Sequence, residues 1–464
     1  MPNGRIDEAV LQRLRQQMGD RVLTPGDSGY DDARQVWNGR FDRRPGAIVR
    51  CGDTADVQWA VDVARTSGLL LAVKSGGHDY AGNSMCDDGL GIDLSLMNDV
   101  AVDADARTVR VGPGARWGAV DRGTQAHGLV TVGGTVSTVG VAGFTLGGGS
   151  GHLSRKHGLA LDNLLSAEVV TAAGEVVRAS ERENSDLFWG LRGGGGNFGI
   201  ATSLELRLHD LTTDVVAGQI IHPFEAAADV LRVYRSFMQG APDEVQCYAF
   251  FLRVPPIPAF PERVHGTIVV DLVVTHAGAA AEAEKVLAPL RAFGEPILDT
   301  VAPIPYVSLQ QAFDAGMADG SRWYSKAHYL RELTDEAIDT ILTHVADLPG
   351  EFTTAYLGGE DGAMARVDRH ATAFPHRDAP FSLHIFPGWT NAADDDRIIE
   401  WARRFHGAMS GQATGGVYVN LLGGDETDGP RSAYGANYQR LSELKGRYDP
   451  GNLFRLNHNV EPSS

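Results

Sequence analysis

Only three cysteines, Cys51, Cys86 and Cys247, stand in 464 residues. They are too few and too scattered for a disulfide framework or a cysteine-based zinc site. A reducing, cytoplasmic setting is the expectation that follows. Positive charge is short as well: 41 Lys and Arg against 59 Asp and Glu leave a formal net charge of −18. An acidic surface attracts neither nucleic acid nor an anionic membrane, so neither is expected as a partner. There is no run of about 18 apolar residues, and hence no expected membrane span. The opening "MPNGRIDEAVLQRLRQQMGD" reads as a polar, then amphipathic, helical start and not as a secretory leader. With no H-E-x-x-H and no cysteine pair at metal spacing, no metal site is expected. The absence of a Gly-Lys dipeptide excludes a P-loop, and without G-x-S-x-G serine hydrolysis lacks its usual platform.

Glycine is what the chain has in excess, 56 residues against a usual share of about 7%. Residues 133–151, "GGTVSTVGVAGFTLGGGSG", hold eight of them, and "GLRGGGGNFG" (190–199) is another dense set. Val139, Val141, Phe144 and Leu146 interleave with the first set, so it is not a linker. Glycine mixed with apolar residues points to backbone lying close against something flat and large. "GGGNFG" (194–199) matches a dinucleotide fingerprint letter for letter, but a helix precedes it and a strand follows, the reverse of what that fingerprint requires.

Strand, helix and strand are read from "GAIVRC" (46–51), "TADVQWAVDVARTSG" (54–68, with Thr54 as N-cap) and "LLLAV" (69–73). The unit is long enough for a βαβ crossover. It puts Ser75-Gly76-Gly77-His78 at the carboxyl end of its second strand, where open α/β sheets bind ligands. Successive N–H groups of Ser75, Gly76 and Gly77 suit an anion. Short strands follow over 91–114, with a helix over 116–128. "AEVVTAAGEVVRAS" reads as a hairpin about Ala173-Gly174, "SDLFWGLRG" as a helix and "GIATSLELRLH" as a strand. From about 213 the texture changes. Strand candidates "QCYAFFLRV", "GTIVVDLVV", "FTTAYLG" and "FSLHIFPGW" alternate with helices near 226–239, 278–293, 334–347 and 393–408. This predicts a separate sheet covered by helices. The tail from Gly416 returns to turn-rich text, with a helix over 433–448.

Four segments in order carry a resemblance: "VKSGGHDYAG", "VGVAGFTLGGGSGHLSRKHGLALDNLLSAEVVTAAGEVV", "DLFWGLRGGGGNFGIAT" and "YDPGNLFRLNHNVEP". Together they resemble the berberine-bridge-enzyme-like flavin oxidases, of the vanillyl-alcohol-oxidase superfamily with a PCMH-type FAD-binding domain. The likeness is strong over about 42–212 and 416–462. It implies an α+β fold: a two-lobed FAD-binding domain over 1–212, an α/β substrate domain with an antiparallel, helix-covered sheet over 213–415, and a segment over 416–464 returning to the first domain.

The resemblance further implies FAD bound covalently through His78 to the flavin 8α-methyl carbon, neutral imidazole being a nucleophile near pH 7. It implies cofactor contacts from Lys74, Ser75, Gly76, Gly77, Asp79 and Ser84, and from Val139, Gly140, Gly143, Gly147, Gly148, Gly149, Gly151 and His152. Ile200, Asn457 and Asn459 complete that set. Where many members carry a second, cysteine link in a motif like C-P-T-V-G, this chain reads Val136-Ser137-Thr138-Val139-Gly140, so a single link is expected. Cys86 is expected to be a plain thiol. The implied chemistry removes hydride from a C–H beside O or N of a small alcohol or specialised metabolite, with dioxygen reduced to hydrogen peroxide. The partners are then a small-molecule substrate and O2, in a monomer or homodimer. Candidates for the proton-handling group are Tyr418 and Asn420 in "YVNLL", read as a strand, and Tyr324, Tyr248, Tyr356 and His384; a tyrosine beside a flavin is expected to have a lowered pKa. A carbohydrate oxidase of the same fold, a flavin dehydrogenase or oxygenating enzyme, and a non-catalytic binding protein are the alternatives.

Overall fold

Asp53, not Thr54, opens the first long helix. Its carboxylate accepts from the N–H of Asp56, and Thr54–Ser67 is helical up to Gly68, which closes it at φ 63°. The Asp53 carboxylate reaches a first-turn donor from extended backbone, and Thr54 is the first helical residue. Val57, Ala60, Val61 and Ala64 point to the core. The helix joins the strand Ala47–Arg50 to Leu71–Lys74, and both run parallel to Leu90–Asp93 between them. Val22–Leu23 completes this four-stranded sheet. The crossover read from the sequence is therefore present. The computed structural model describes residues 5–211, 214–258, 260–426 and 428–463.

A second sheet of five antiparallel strands runs Val100–Asp103, Thr108–Val111, Ile200–Arg207, Leu164–Val170, Val176–Ser180. The expected hairpin is its Leu164–Ser180 arm, turning through Gly174 at φ 81°. The glycine-rich stretch between these elements is not all loop. Val141–Gly147 is a helix whose Val141, Ala142, Thr145 and Leu146 are buried, spacing that puts one face on the core.

The third sheet runs Leu298–Asp299, Val215–Pro223, Ile268–His276, Val245–Arg253, Thr354–Gly359, Phe381–Phe386, Lys326–Leu330, with Ala302–Ile304 paired off its edge. The strands Val215–Pro223 and Lys326–Leu330 were not singled out in the sequence, because Gly218, His222, Lys326 and His328 break their apolar alternation. One face of the sheet carries Ile220, Leu272, Cys247, Phe251, Leu357 and Ile385, packed under the helices Ala227–Gly240, Ala280–Arg291, Asp335–Val345 and Asp395–Met409. Because side chains alternate along a strand, Asp271, Phe250, Tyr356 and His384, cross-strand neighbours in register, fall on the opposite face. The α+β architecture expected from the sequence is the one observed.

Two tail readings are corrected. "YVNLL" is not a strand: Val419–Leu421 is a single 3-10 turn. The helix over 433–448 is two, Gly429–Tyr434 and Tyr438–Tyr448, separated at Gly435 (φ 48°). The second of these is tied down by Lys445, fully buried, whose ammonium donates to Asp449 (2.7 Å) and to the carbonyls of Asn197 (2.7 Å) and Phe454 (2.9 Å). Three acceptors around one buried cation satisfy it, and they dock the tail on the 194–199 loop. The boundary expected between 212 and 213 falls on Thr212 and Thr213, outside the described residues. No helix among the described residues is long and apolar enough to cross a membrane, and no three His, Cys, Asp or Glu side chains cluster as metal ligands.

Burial holds many histidines neutral. It pushes His78, His157, His384 and His406 down to about 3, and His152, His209 and His376 down to about 4. Two pairs stack ring on ring, His157 on His209 (3.9 Å) and His328 on His406 (3.8 Å). An unfolded histidine takes its proton near pH 6.5, so between 6.5 and 4 these sites bind more protons in the unfolded chain than in the folded one. The contribution of these seven histidines to stability is therefore expected to be complete above about pH 6.5 and to be lost as the pH drops toward 4, outweighing the opposite contribution of Asp121 and Asp271, whose carboxyls burial pushes up to about 7. Urea midpoints measured from pH 7.5 to 4.5 check this; a constant midpoint contradicts it.

Candidate active site

The loop after Leu71–Lys74 is held from several sides. The Ser75 hydroxyl donates to the carbonyl of Pro113. Gly76 meets Gly140 backbone to backbone: a Cβ on Gly76 would lie 2.4 Å from the Gly140 nitrogen, and one on Gly140 would lie 2.6 Å from that of Gly76. Gly77 sits at φ 72° and its carbonyl accepts from the N–H of Trp37 at 3.0 Å. Asp79 folds the loop back by accepting from the N–H groups of Ala81 and Asn83. Gly76 is thus a glycine because a second loop presses on it. Gly76→Ala is expected to push the two loops apart, lowering the thermal midpoint and the amount of flavin retained through gel filtration.

His78 follows with its ring stacked on Trp37 (centroids 4.9 Å apart, 16° between planes) and its Nε2 3.2 Å from Thr138 Oγ1. Trp37 is stacked in turn on Trp323 (5.3 Å, 13°), and its indole N–H donates to the carbonyl of Met317 at 2.7 Å. Burial, and secondarily the nearby Arg116 charge, keep the imidazole neutral.

These residues open onto one cavity of about 1200 Å³, larger than the roughly 300–1,000 Å³ of an ordinary ligand pocket. Its wall includes Ser75, Gly76, Gly77, His78, Asp79, Ser84, Val139, Gly140, Gly143, Gly147, Ile200 and Asn457 of the expected cofactor set, and Tyr418, Asn420, Tyr248, Tyr356 and His384 of the expected reactive set. Val136, at the position of the second cysteine link, is also on the wall and offers no thiol. Cys86 is buried, with its thiol pushed up to about 12 by desolvation. The fit to an extended dinucleotide rests on glycine. A Cβ at Gly143, Gly195 or Gly196, all on the wall, would meet nothing within 4 Å, so these positions leave room beside backbone that a ligand can approach.

Seven expected residues are not on that wall. Lys74 turns away and lays its ammonium by the Asp93 carboxylate (3.8 Å) and the Ala33 carbonyl, because strand alternation points it opposite to Val73. His152 is buried between the glycine loop and the large sheet, its Nδ1 3.3 Å from Thr275 Oγ1. Gly148, Gly149 and Gly151 are packing positions: added Cβ atoms would strike the Tyr418 ring at 2.7 Å, Ala160 at 2.5 Å and the Gly133 carbonyl at 2.0 Å. Asn459 keeps its Oδ1 buried without a hydrogen-bond partner among the described residues. Tyr324, one residue past the strand Arg322–Trp323, donates its hydroxyl to Asp425 at 2.7 Å, and its neighbour Trp323 takes the place on the wall.

Tyr418 and Asn420 are placed together. The Gly149 N–H (2.6 Å) and the Asn420 Nδ2 (2.9 Å) both donate to the Tyr418 hydroxyl, and Asn420 also donates to the Phe144 carbonyl at 3.0 Å. Two donors on one phenol oxygen favour its anion, but burial outweighs them and pushes the group up to about 12. The expected lowering is not found in the protein's own field. The facing sheet supplies aromatic surface: Tyr356 stacks on His384 (4.4 Å) and lies 4.5 Å from Phe250, and Phe386 is 5.3 Å from Tyr80. Ser382 donates to Glu360 at 2.6 Å and lies 2.7 Å from His384 Nε2. Trp37, Tyr80, Thr138 and Glu360 were missed from the sequence. Two of them had a signal, Thr138 in the stretch Val136–Gly140 and Tyr80 in "VKSGGHDYAG".

Comparison with known proteins agrees with this layout. A family model described as an FAD binding domain matches residues 45–180, and one described as berberine and berberine like matches 417–461. An FAD-linked oxidoreductase of Bacillus subtilis is 30% identical over 95% of this chain and 97% of its own. The (R)-6-hydroxynicotine oxidase of Paenarthrobacter nicotinovorans is 32% identical over 95% of this chain and 96% of its own. Among solved structures, 6-hydroxy-D-nicotine oxidase from Arthrobacter nicotinovorans superposes with a TM-score of 0.87 at 30% identity, covering 96% of this chain and 99% of that one. A chitooligosaccharide oxidase superposes with a TM-score of 0.86 at 26% identity, covering 98% and 100%. With an FAD-binding segment and a berberine-like segment placed on one cavity and relatives aligned along nearly its whole length, the chain belongs to the berberine-bridge-enzyme-like family of FAD-linked oxidoreductases.

Proposed function

We propose that this protein is an FAD-dependent oxidase whose flavin is attached by one covalent bond to His78. It takes hydride from a C–H beside O or N of a small alcohol or specialised metabolite and passes the electrons to dioxygen, giving hydrogen peroxide. The observation that carries this reading is a neutral, clamped imidazole on a glycine-lined cavity whose lining also holds Tyr418 and Asn420.

Ser75–Asp79, Val139, Gly140, Gly143, Ile200 and Asn457 would hold the cofactor along that wall. Bound there, FAD supplies the hydride acceptor. In its ionised form Tyr418 takes the proton that leaves a substrate O–H or N–H, with the Gly149 N–H and Asn420 stabilising the charge on its oxygen beforehand. Tyr356, Phe250 and Phe386 exclude water and orient a flat or apolar substrate. Ile257 and Phe352, two of the few exposed large apolar side chains, extend that surface to the rim. Such a lining suits a small apolar metabolite better than an oligosaccharide, whose hydroxyls need many polar partners. The division into 1–212, 213–415 and 416–464 is proposed with it, the large sheet supplying the substrate side.

Purified protein incubated in air with alcohols, amines and sugars, with peroxide and oxygen uptake recorded, tests the reading. Turnover with oxygen consumption but no peroxide, or turnover only with an artificial acceptor, defeats it.

A further inference from the structure

Why a threonine stands against His78 is a question the fold answers in part. Neutral imidazole has one N–H and one lone pair, and only the nitrogen with the lone pair can form a new bond. Nε2 is 3.2 Å from Thr138 Oγ1. Nδ1 makes no hydrogen bond among the described residues, and the residue lines the cavity. The ring has little freedom to turn over. Trp37 covers one face, held by its N–H to the Gly77 carbonyl, its indole N–H to Met317 and its stack on Trp323.

Thr138 is equally fixed. Before it, the Ser137 N–H and hydroxyl both donate to Asp314, at 2.8 and 2.6 Å. After it, the Val139 carbonyl accepts from Trp117 at 3.0 Å, and Gly140 is wedged against Gly76. The hydroxyl is thus held at a set distance from the loop that carries His78.

We propose that Thr138 is a positioning residue for flavin attachment: its oxygen accepts the Nε2–H of His78 and leaves the Nδ1 lone pair facing the cavity to bond the 8α carbon. This rests on the covalent reading given above. In the step, the Nδ1–C bond forms while one C–H of the 8α methyl group breaks. One proton leaves that carbon and one leaves Nε2. The two electrons of the broken bond pass to dioxygen, which with both protons leaves as hydrogen peroxide. Positive charge gathers on Nε2–H as Nδ1 bonds, and the Thr138 oxygen is placed to stabilise it. Trp37 holds the plane of the ring.

The test compares wild type, Thr138→Val and Thr138→Ser. Each is purified, incubated with added FAD in air and sampled by acid precipitation over time. Flavin in the pellet is counted against total flavin bound before precipitation, so the measure does not depend on yield or on activity. Attachment in Thr138→Val is expected to slow by about tenfold or more, the scale of one hydrogen bond to a charged group, with FAD still bound and released into the supernatant. Thr138→Ser is expected to attach within about threefold of wild type. Thr138→Val attaching at the wild-type rate while the wild-type pellet is yellow overturns the role of Thr138 alone, as does Thr138→Ser failing as badly as Thr138→Val. A wild-type pellet without flavin overturns the covalent reading and this inference together.

Discussion

His78→Ala is expected to release all of its flavin into the supernatant on acid precipitation, where the wild-type pellet stays yellow. The expectation follows from what surrounds the ring. It is the only imidazole on the loop between Leu71–Lys74 and Leu90–Asp93, burial keeps it neutral at neutral pH, and its neighbours hold it in one orientation. The loop itself does not depend on the ring. Gly76 against Gly140, Gly77 at φ 72° and Asp79 on Ala81 and Asn83 all persist in the variant. Non-covalent FAD should therefore remain bound at neutral pH. Loss of the bond lowers the flavin potential, and turnover is expected to fall by on the order of tenfold to a hundredfold, or about 1.4 to 2.8 kcal/mol of barrier. Flavin absorbance of pellet and supernatant measures the first effect and oxygen uptake the second. Acid-stable flavin surviving in the variant would place the link on another residue.

Tyr418→Phe should be the more damaging change for chemistry. The phenol oxygen gathers two N–H donors from separate segments, Gly149 and Asn420, on the wall that faces the large sheet. Removing a positioned acid–base group costs about 10²–10⁴ in rate, and kcat is expected to fall by that order while flavin content stays unchanged. The phenylalanine ring keeps the contacts with Gly148 and Phe374, so a folding defect is not expected. Burial raises the phenol to about 12. Its ionised fraction then grows about tenfold per pH unit through the neutral range. If that ion takes the substrate proton, kcat/KM climbs from pH 7 to 9 in the wild type and is flat in the variant. A Tyr418→Phe enzyme within threefold of wild type, with the same pH profile, would move the proton-handling role elsewhere, to Glu360 or His384 on the facing strands.

Local pattern carried the reading of the chain a long way. The alternation of "QCYAFFLRV" and "GTIVVDLVV" marks strands because one face had to be covered by helices, and those helices have their own 3.6-residue stripes. The strand ending before Ser75 put the S-G-G-H loop at a ligand-binding sheet end. Where local pattern was weak the reading failed. "YVNLL" looks extended but forms one 3-10 turn, because its segment lines the cavity and does not pair with a neighbouring strand. Val141–Gly147 reads as loop by its glycines, yet its buried side chains make it a helix.

Composition, periodicity and ordered motifs by themselves determined the class of this protein: an α+β flavin-type chain, with His78 at the end of a buried strand and no second thiol at Val136. Those properties are local, set by residues within a turn or a strand of one another. Which candidates share one cavity was decided only by tertiary structure. Tyr418 reaches Gly149 across 269 positions and Thr138 reaches His78 across 60. Tyr324 and Lys74, each one residue from the wall, face away from it. The parity of a strand and the approach of two loops settle such contacts, and both depend on how three sheets pack. For the same reason Gly76 and Gly77 have separate purposes. One yields to a neighbouring chain and the other turns the backbone, and between them they deliver the His78 imidazole to the cavity.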